Sequence, residues 1–113
     1  MNDATIEEFE LDVATAKEHV ALADALGRLQ KSKDFKLIIN EGYIQKEAIR
    51  LVSLKAHPAM QEDKRQAAIV KSMDAIGSLE QYFSMLYAVG ANSELAIDEA
   101  NEAIVEMSKE DNS

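Results

Sequence analysis

From Phe35 to Ala56 the chain reads FKLIINEGYIQKEAIRLVSLKA, and twelve of these twenty-two residues are apolar or Tyr. They point in several directions at once. Phe35, Ile38, Ile39 and Tyr43 stand at i, i+3, i+4 and i+8, and Ile44, Ala48, Leu51 and Val52 at i, i+4, i+7 and i+8, so each half carries a helical stripe. Leu37, Ile49 and Leu54 fall off those stripes. A helix that is apolar on more than one side needs partners on more than one side, supplied by flanking helices or by another copy of the chain.

A chain of 113 residues has room for one domain and one modest core. Apolar residues make up 47% but aromatics only 5%, with four Gly and one Pro. That composition favours helices, and the fold expected is all-α, an antiparallel helical bundle or hairpin of three to four helices, oligomeric, with frayed acidic ends at residues 1–4 and 108–113. There is no Cys, so disulfides and thiolate metal sites are excluded. No apolar run approaches a membrane span and no signal-peptide pattern opens the chain, so the expected location is the cytoplasm.

The formal net charge of −9 is unevenly placed. Residues 1–13 carry five acids and no base, residues 90–113 seven acids against Lys109, and residues 14–89 eleven bases against nine acids. A near-neutral body with two acidic ends repels phosphate, so no nucleic-acid partner is expected.

Thr5-Ile6-Glu7-Glu8 fits a capping box that opens a first helix. Ile6, Phe9, Val13, Ala16, Val20 and Ala23 then repeat with alternating spacings of three and four, a heptad seam suited to antiparallel packing or to self-association, with Leu22, Leu26 and Leu29 as a second stripe beside it. Lys31-Ser32-Lys33-Asp34 breaks that pattern and offers Ser32 or Asp34 as the next N-cap. Arg28, Lys31, Lys33 and Lys36 form a basic patch around this turn, placed to serve the negative end of the first helix or to dock an acidic partner. Gly42 interrupts the second helical stretch, marking a kink or a closely packed backbone.

His57-Pro58 ends that stretch, and Glu62 and Asp63 read as the acidic opening of a third helix. Its apolar surface is Ala68, Val70, Met73, Ile76, Leu79, Phe83 and Leu86, with Tyr82 and Tyr87 alongside. Gly90 reads as a helix-ending residue and Asn92 or Ser93 as the cap of a last helix bearing Leu95, Ala96, Ala100, Ala103, Ile104 and Met107. The alternative is one helix that continues through Gly90 with a bend.

Catalytic constellations are excluded by inventory: no Cys nucleophile, no Gly-rich phosphate loop, no nucleophile elbow. His19 and His57 lack a second His or a carboxylate at metal-ligand spacing and read as solvated surface or turn residues. Asp98, Glu102 and Glu106 share a helical face, but no Ca²⁺-binding loop surrounds them, so that face reads as solvated. No cofactor and no enzyme activity are expected. Tyr43, Tyr82 and Tyr87 read as core or interface anchors, and the internal methionines as core fillers or a binding groove.

The segment DFKLIINEGYIQKEAIRLVSLKAHPAMQ, followed by SMDAIGSLEQYF, resembles small acidic helical proteins of unassigned role from tailed bacteriophages. The resemblance covers about residues 26–88 and rests on Phe35, Gly42, Tyr43, Ala48, Arg50, Leu51, Pro58, Met60, Ile76, Gly77 and Tyr82. It implies a phage-encoded virion or assembly accessory protein, or a small binder of a host protein, and it supplies no site residues.

Two functional expectations follow. The first is a non-enzymatic assembly protein that self-associates through Ile6, Phe9, Val13, Val20, Ile49, Leu54, Tyr82 and Tyr87. The second is an inhibitor that binds a host defence or nucleic-acid-binding protein through the acidic face of Glu94, Asp98, Glu102 and Glu106. Both place protein partners, and no membrane, at the centre of what the chain does.

Overall fold

The computed structural model describes residues 5–111, all of them in helices or the short links between helices, with no strand. The order is α1 (Ile6–Lys31), α2 (Lys33–Phe35), a π-helical segment (Lys36–Glu47), α3 (Ala48–Ala56), a 3-10 turn (Pro58–Met60) and α4 (Asp63–Asp111). The expected fraying at residues 1–4 and 112–113 lies outside the described residues, while α4 runs through Ser108 as far as Asp111.

The boundaries follow local chemistry. The capping box forms as the spacing requires: Glu8 N–H donates to Thr5 Oγ1 and Thr5 N–H donates to Glu8 Oε2, each at 3.2 Å. Glu7 and Glu8 lie in the first turn of α1 and Arg28 and Lys31 in its last, so both ends complement the helix dipole. Ser32 breaks α1 and caps α2, its hydroxyl accepting from Phe35 N–H at 3.4 Å. Pro58 starts the 3-10 turn, where its missing N–H costs nothing, and His57 Nδ1 accepts from Ala59 N–H at 3.1 Å. That bond requires the imidazole to carry its proton on Nε2. Gln66 Nε2 then donates to the carbonyls of Lys55 and Met60, at 2.9 and 2.7 Å, closing the turn onto the first turns of α4.

The chain divides into two compact units, one made of residues up to Leu26 together with those from Met85, the other of Gly27–Ser84. In the first unit α1 and the C-terminal half of α4 run antiparallel. Ala23 lies against Gly90, His19 against Ser93, and Val13 with Ile104, so a step up one helix matches a step down the other. The inward positions of α1 are the heptad seam read from the sequence, with Val13 and Ala16 buried and Ile6, Phe9, Val20 and Ala23 half-buried. Those of α4 are Leu86, Gly90, Ser93, Ile97, Ala100, Ile104 and Met107, again spaced three and four. Leu26 is buried, but Leu22 and Leu29, the rest of the second stripe, are exposed.

Gly90 does not end a helix, and neither Asn92 nor Ser93 caps one. α4 passes through all three, and the seam needs Gly90 small: a methyl on it would stand 2.5 Å from Ala23 Cβ. The helix continues through Gly90, as the alternative reading had it, and close approach to Ala23 is what this glycine provides. Leu95 and Ala96, placed on the apolar surface of a separate last helix by the sequence reading, are exposed, and Ile97 turns inward instead.

In the second unit the arm from Lys33 to Ala56 folds back along the N-terminal half of α4. Leu51, Ile69 and Ile76 form its buried cluster, with Tyr43, Ile44, Ala48, Leu54, Met60 and Met73 packed around them. The rings of Phe35 and Phe83 meet with centroids 5.9 Å apart.

The helical stripes assigned to Phe35–Ala56 are corrected here by the π geometry. Hydrogen bonds from residue i to i−5 widen the turn, so residues four and five apart share a face, not three and four. Phe35, Ile39, Tyr43, Ile44 and Ala48 face inward on that longer repeat, while Ile38 is 63% exposed. Gly42 sits inside this segment, where a Cβ would lie 3.2 Å from the Leu37 carbonyl oxygen, five residues back. It marks a widened turn in place of the expected kink or neighbouring backbone. Likewise Ile69 is buried, whereas Ala68 and Val70, assigned inward from the sequence, are exposed.

Candidate functional site

Two antiparallel helices can bury only the line along which they touch. Among the described residues seven apolar side chains are buried, none of the large ones completely, and thirteen large hydrophobics remain exposed. What the described residues offer is chiefly surface, and the structure sorts the sequence-derived surface residues into different classes.

Ile6, Phe9, Val13 and Val20 face α4 within the same chain, so the heptad seam is occupied there. Leu54 is half-buried beside the Leu51 cluster. Ile49, 67% exposed, points away from that cluster, and Tyr82 and Tyr87 are also exposed. Tyr82 touches Phe83, centroids 6.3 Å apart. The eight residues thus do not form one face: five point into the pairs, wholly or in part, and three point outward.

Arg28, Lys31, Lys33 and Lys36 are all exposed around the Ser32 break. The first two lie in the last turn of α1, where they offset unpaired carbonyls. Glu94, Asp98, Glu102 and Glu106 are exposed along α4, successive members four residues apart, so they spiral slowly around the helix. Glu106 pairs with Lys109 at 3.8 Å, an exposed contact of small energetic weight. No group of three or more His, Asp or Glu among the described residues is arranged to hold a metal ion. No described helix is long and apolar enough to cross a membrane.

Sorted by unit, the charges separate further than by chain position. The first unit holds fourteen acids and two bases, for −12; the second holds seven acids and ten bases, for +3. The acids crowd onto the tight small-residue pair, and the bases onto the unit containing the π segment.

His19 is not a solvated surface residue. Its Nδ1 lies 3.2 Å from Ser93 Oγ, and Ser93 is the buried polar residue of the seam. The pair satisfies two polar groups where the helices are closest, and no buried side-chain N or O among the described residues lacks a partner. The sequence signal for this contact was available only in part: Ser93 continues the three-four spacing of α4, but its partner is 74 residues away.

Glu47 and Arg50 make a double contact one turn apart, with Arg50 Nε 3.1 and 3.0 Å from the two carboxylate oxygens. The guanidinium hydrogen bond holds the Glu47 carboxyl below the usual carboxylate range and raises Arg50. The pair bridges the last residue of the π segment and the first turn of α3.

Surface depressions are shallow. One, lined by Leu51, Leu54, Met60, Ala68 and Ile69 with Arg50 and Arg65 at its rim, opens beside the second unit's buried cluster. Arg65 is itself held by the Ala59 carbonyl at 3.0 Å. No protein-family model matches the chain. No curated protein and no solved structure matches it either.

Proposed function

We propose that this protein works by binding protein surfaces, first of all another copy of itself, as a non-enzymatic helical assembly component in the cytoplasm. One observation carries the reading: exposed large hydrophobics outnumber buried apolar residues thirteen to seven among the described residues. Helices with more apolar surface than their own chain covers gain from a partner, because that surface contributes roughly 25 cal/mol per Å² once removed from water. The likeness of residues 26–88 to phage accessory proteins fits a virion or assembly role. Sedimentation velocity at tens of micromolar tests it: a concentration-dependent oligomer is expected, and a strict monomer removes the basis of the reading.

A second reading draws on the −12 charge of the first unit. A small acidic helical pair suits a phage-encoded inhibitor that occupies a basic surface of a host protein. Replacing Glu94, Asp98, Glu102 and Glu106 together by Gln is then expected to abolish capture of that host protein. Unchanged capture eliminates this reading.

A further inference from the structure

His57 stands where two backbone ends compete for its side chain. It is the C-cap of α3, whose last carbonyls lack amide partners within the helix, and the N-cap of the 3-10 turn Pro58–Met60, whose first N–H belongs to Ala59 because proline has none. The ring serves the turn: Nδ1 accepts from Ala59 N–H at 3.1 Å. Only a ring nitrogen without a proton can accept, so this bond exists with neutral imidazole alone. Histidine is the side chain that ordinarily changes charge between about pH 5 and 8, and an imidazolium offers no acceptor at either nitrogen. Its two donors and positive charge suit the carbonyl end of α3 instead.

No other side chain at the turn does the same work. Gln61 Nε2 donates to the carbonyls of Lys55 and His57, Gln66 Nε2 to those of Lys55 and Met60, and Arg65 Nη1 to that of Ala59. All three are donors to carbonyls, so none can receive the Ala59 N–H. The charged residues of the adjoining segments are Lys55 at the end of α3, Glu62 in the link, and Asp63, Lys64 and Arg65 at the start of α4, all exposed. Arg65 lies 3.7 Å from Glu62, and none of the five is hydrogen-bonded or ion-paired to the imidazole. The turn also carries Met60, which packs against the Leu51, Ile69 and Ile76 cluster and lines the groove beside it. The cap therefore bears on the edge of the second unit's core.

We infer that His57 is a proton-operated, two-position cap. Neutral, it holds Ala59 N–H and closes the turn that carries Met60; protonated, it leaves Ala59, turns to the carbonyl end of α3 and loosens that turn. The device is independent of self-association.

Nuclear magnetic resonance of the full chain tests it, with pH varied through the range in which the His57 ring takes up its proton and with the His19 ring as internal control. Expected at the basic end are ring nitrogen shifts of the Nε2–H tautomer. As His57 protonates, the Ala59 amide proton moves upfield with the same midpoint and its protection from exchange, corrected for intrinsic rate, falls about fivefold. The Gln66 side-chain amide and the Leu51 amide stay unchanged. His57→Asn, which can cap but does not titrate, holds Ala59 protected throughout. A proton on Nδ1 at the basic end, an Ala59 response that is absent or follows His19, or the same fall in His57→Asn overturns the inference. A loss of protection shared by Leu51 also rejects it, because that is general unfolding and not release of a cap.

Discussion

The Cα of Gly90 lies so close to Ala23 that a methyl group on the glycine would come within 2.5 Å of the alanine Cβ. Both residues belong to helices, where alanine is ordinarily preferred to glycine by about 1 kcal/mol. At this crossing the preference reverses. Gly90→Ala is expected to destabilise the fold by about 1–3 kcal/mol through overpacking, because neither helix backbone can move aside cheaply. Gly77→Ala, which meets nothing of its own chain within 4 Å, is expected to stabilise by up to about 1 kcal/mol. Urea unfolding of the two variants in dilute solution checks the opposite signs, and equal effects would contradict the close approach.

Leu51 and Ile49 lie on opposite faces of α3, with 3% and 67% of their surface exposed. Leu51→Ala is expected to cost about 2–4 kcal/mol, whereas Ile49→Ala changes stability by less than about 0.5 kcal/mol. The denaturation midpoint of each variant reads the difference. Similar losses would mean that α3 is rotated from the orientation described.

Ser93 and His19 satisfy each other in the tightest part of the seam. Ser93→Ala removes the hydroxyl and leaves the imidazole nitrogen to water or to no partner, at an expected cost of about 1 kcal/mol. Ser93→Leu is expected to cost more, because the seam admits only small residues there. A His19→Ala/Ser93→Ala double-mutant cycle isolates the pair, and a coupling energy near zero would remove it as a contributor.

Glu47 is held below the ordinary carboxylate range by its hydrogen bond to Arg50. A carboxyl with a lowered folded-state value contributes stability that is fully present above its unfolded value and is lost as pH falls through the folded one. Glu47→Gln is therefore expected to leave stability at acid pH unchanged and to lower it slightly at neutral pH, since water screens a pair in which Arg50 is exposed and Glu47 partly so. Comparing the acid-induced loss of helicity in the two proteins checks the sign.

Helical class, the Thr5–Glu8 capping box, the break at Ser32, the Pro58 turn and the start of α4 beside Asp63 were all legible in the sequence, because each depends on residues within a few positions of one another. The seam of α1 was legible too, since an alternating three-four repeat places its members on one side whatever the partner. The apolar density of Phe35–Ala56 was legible, and Phe35, Ile39, Tyr43, Ile44, Ala48 and Leu51 of its two stripes turn inward, whereas Ile38 and Val52 do not. A period of 3.6 was applied where i to i−5 bonding governs, so Ile38 was read as a core position and lies exposed; Val52, in the α-helical α3 next to the buried Leu51, is exposed as well.

Sequence alone determined what local chemistry determines: helix starts, helix stops, and a surplus of apolar side chains over the surface one short chain can hide. Tertiary structure decided which of those side chains meet. Gly90 is a helix terminator by propensity and a contact point in fact, because Ala23 arrives from 67 positions earlier in the sequence. His19 finds Ser93 for the same reason, and no pattern confined to a few neighbouring residues encodes a meeting between distant segments.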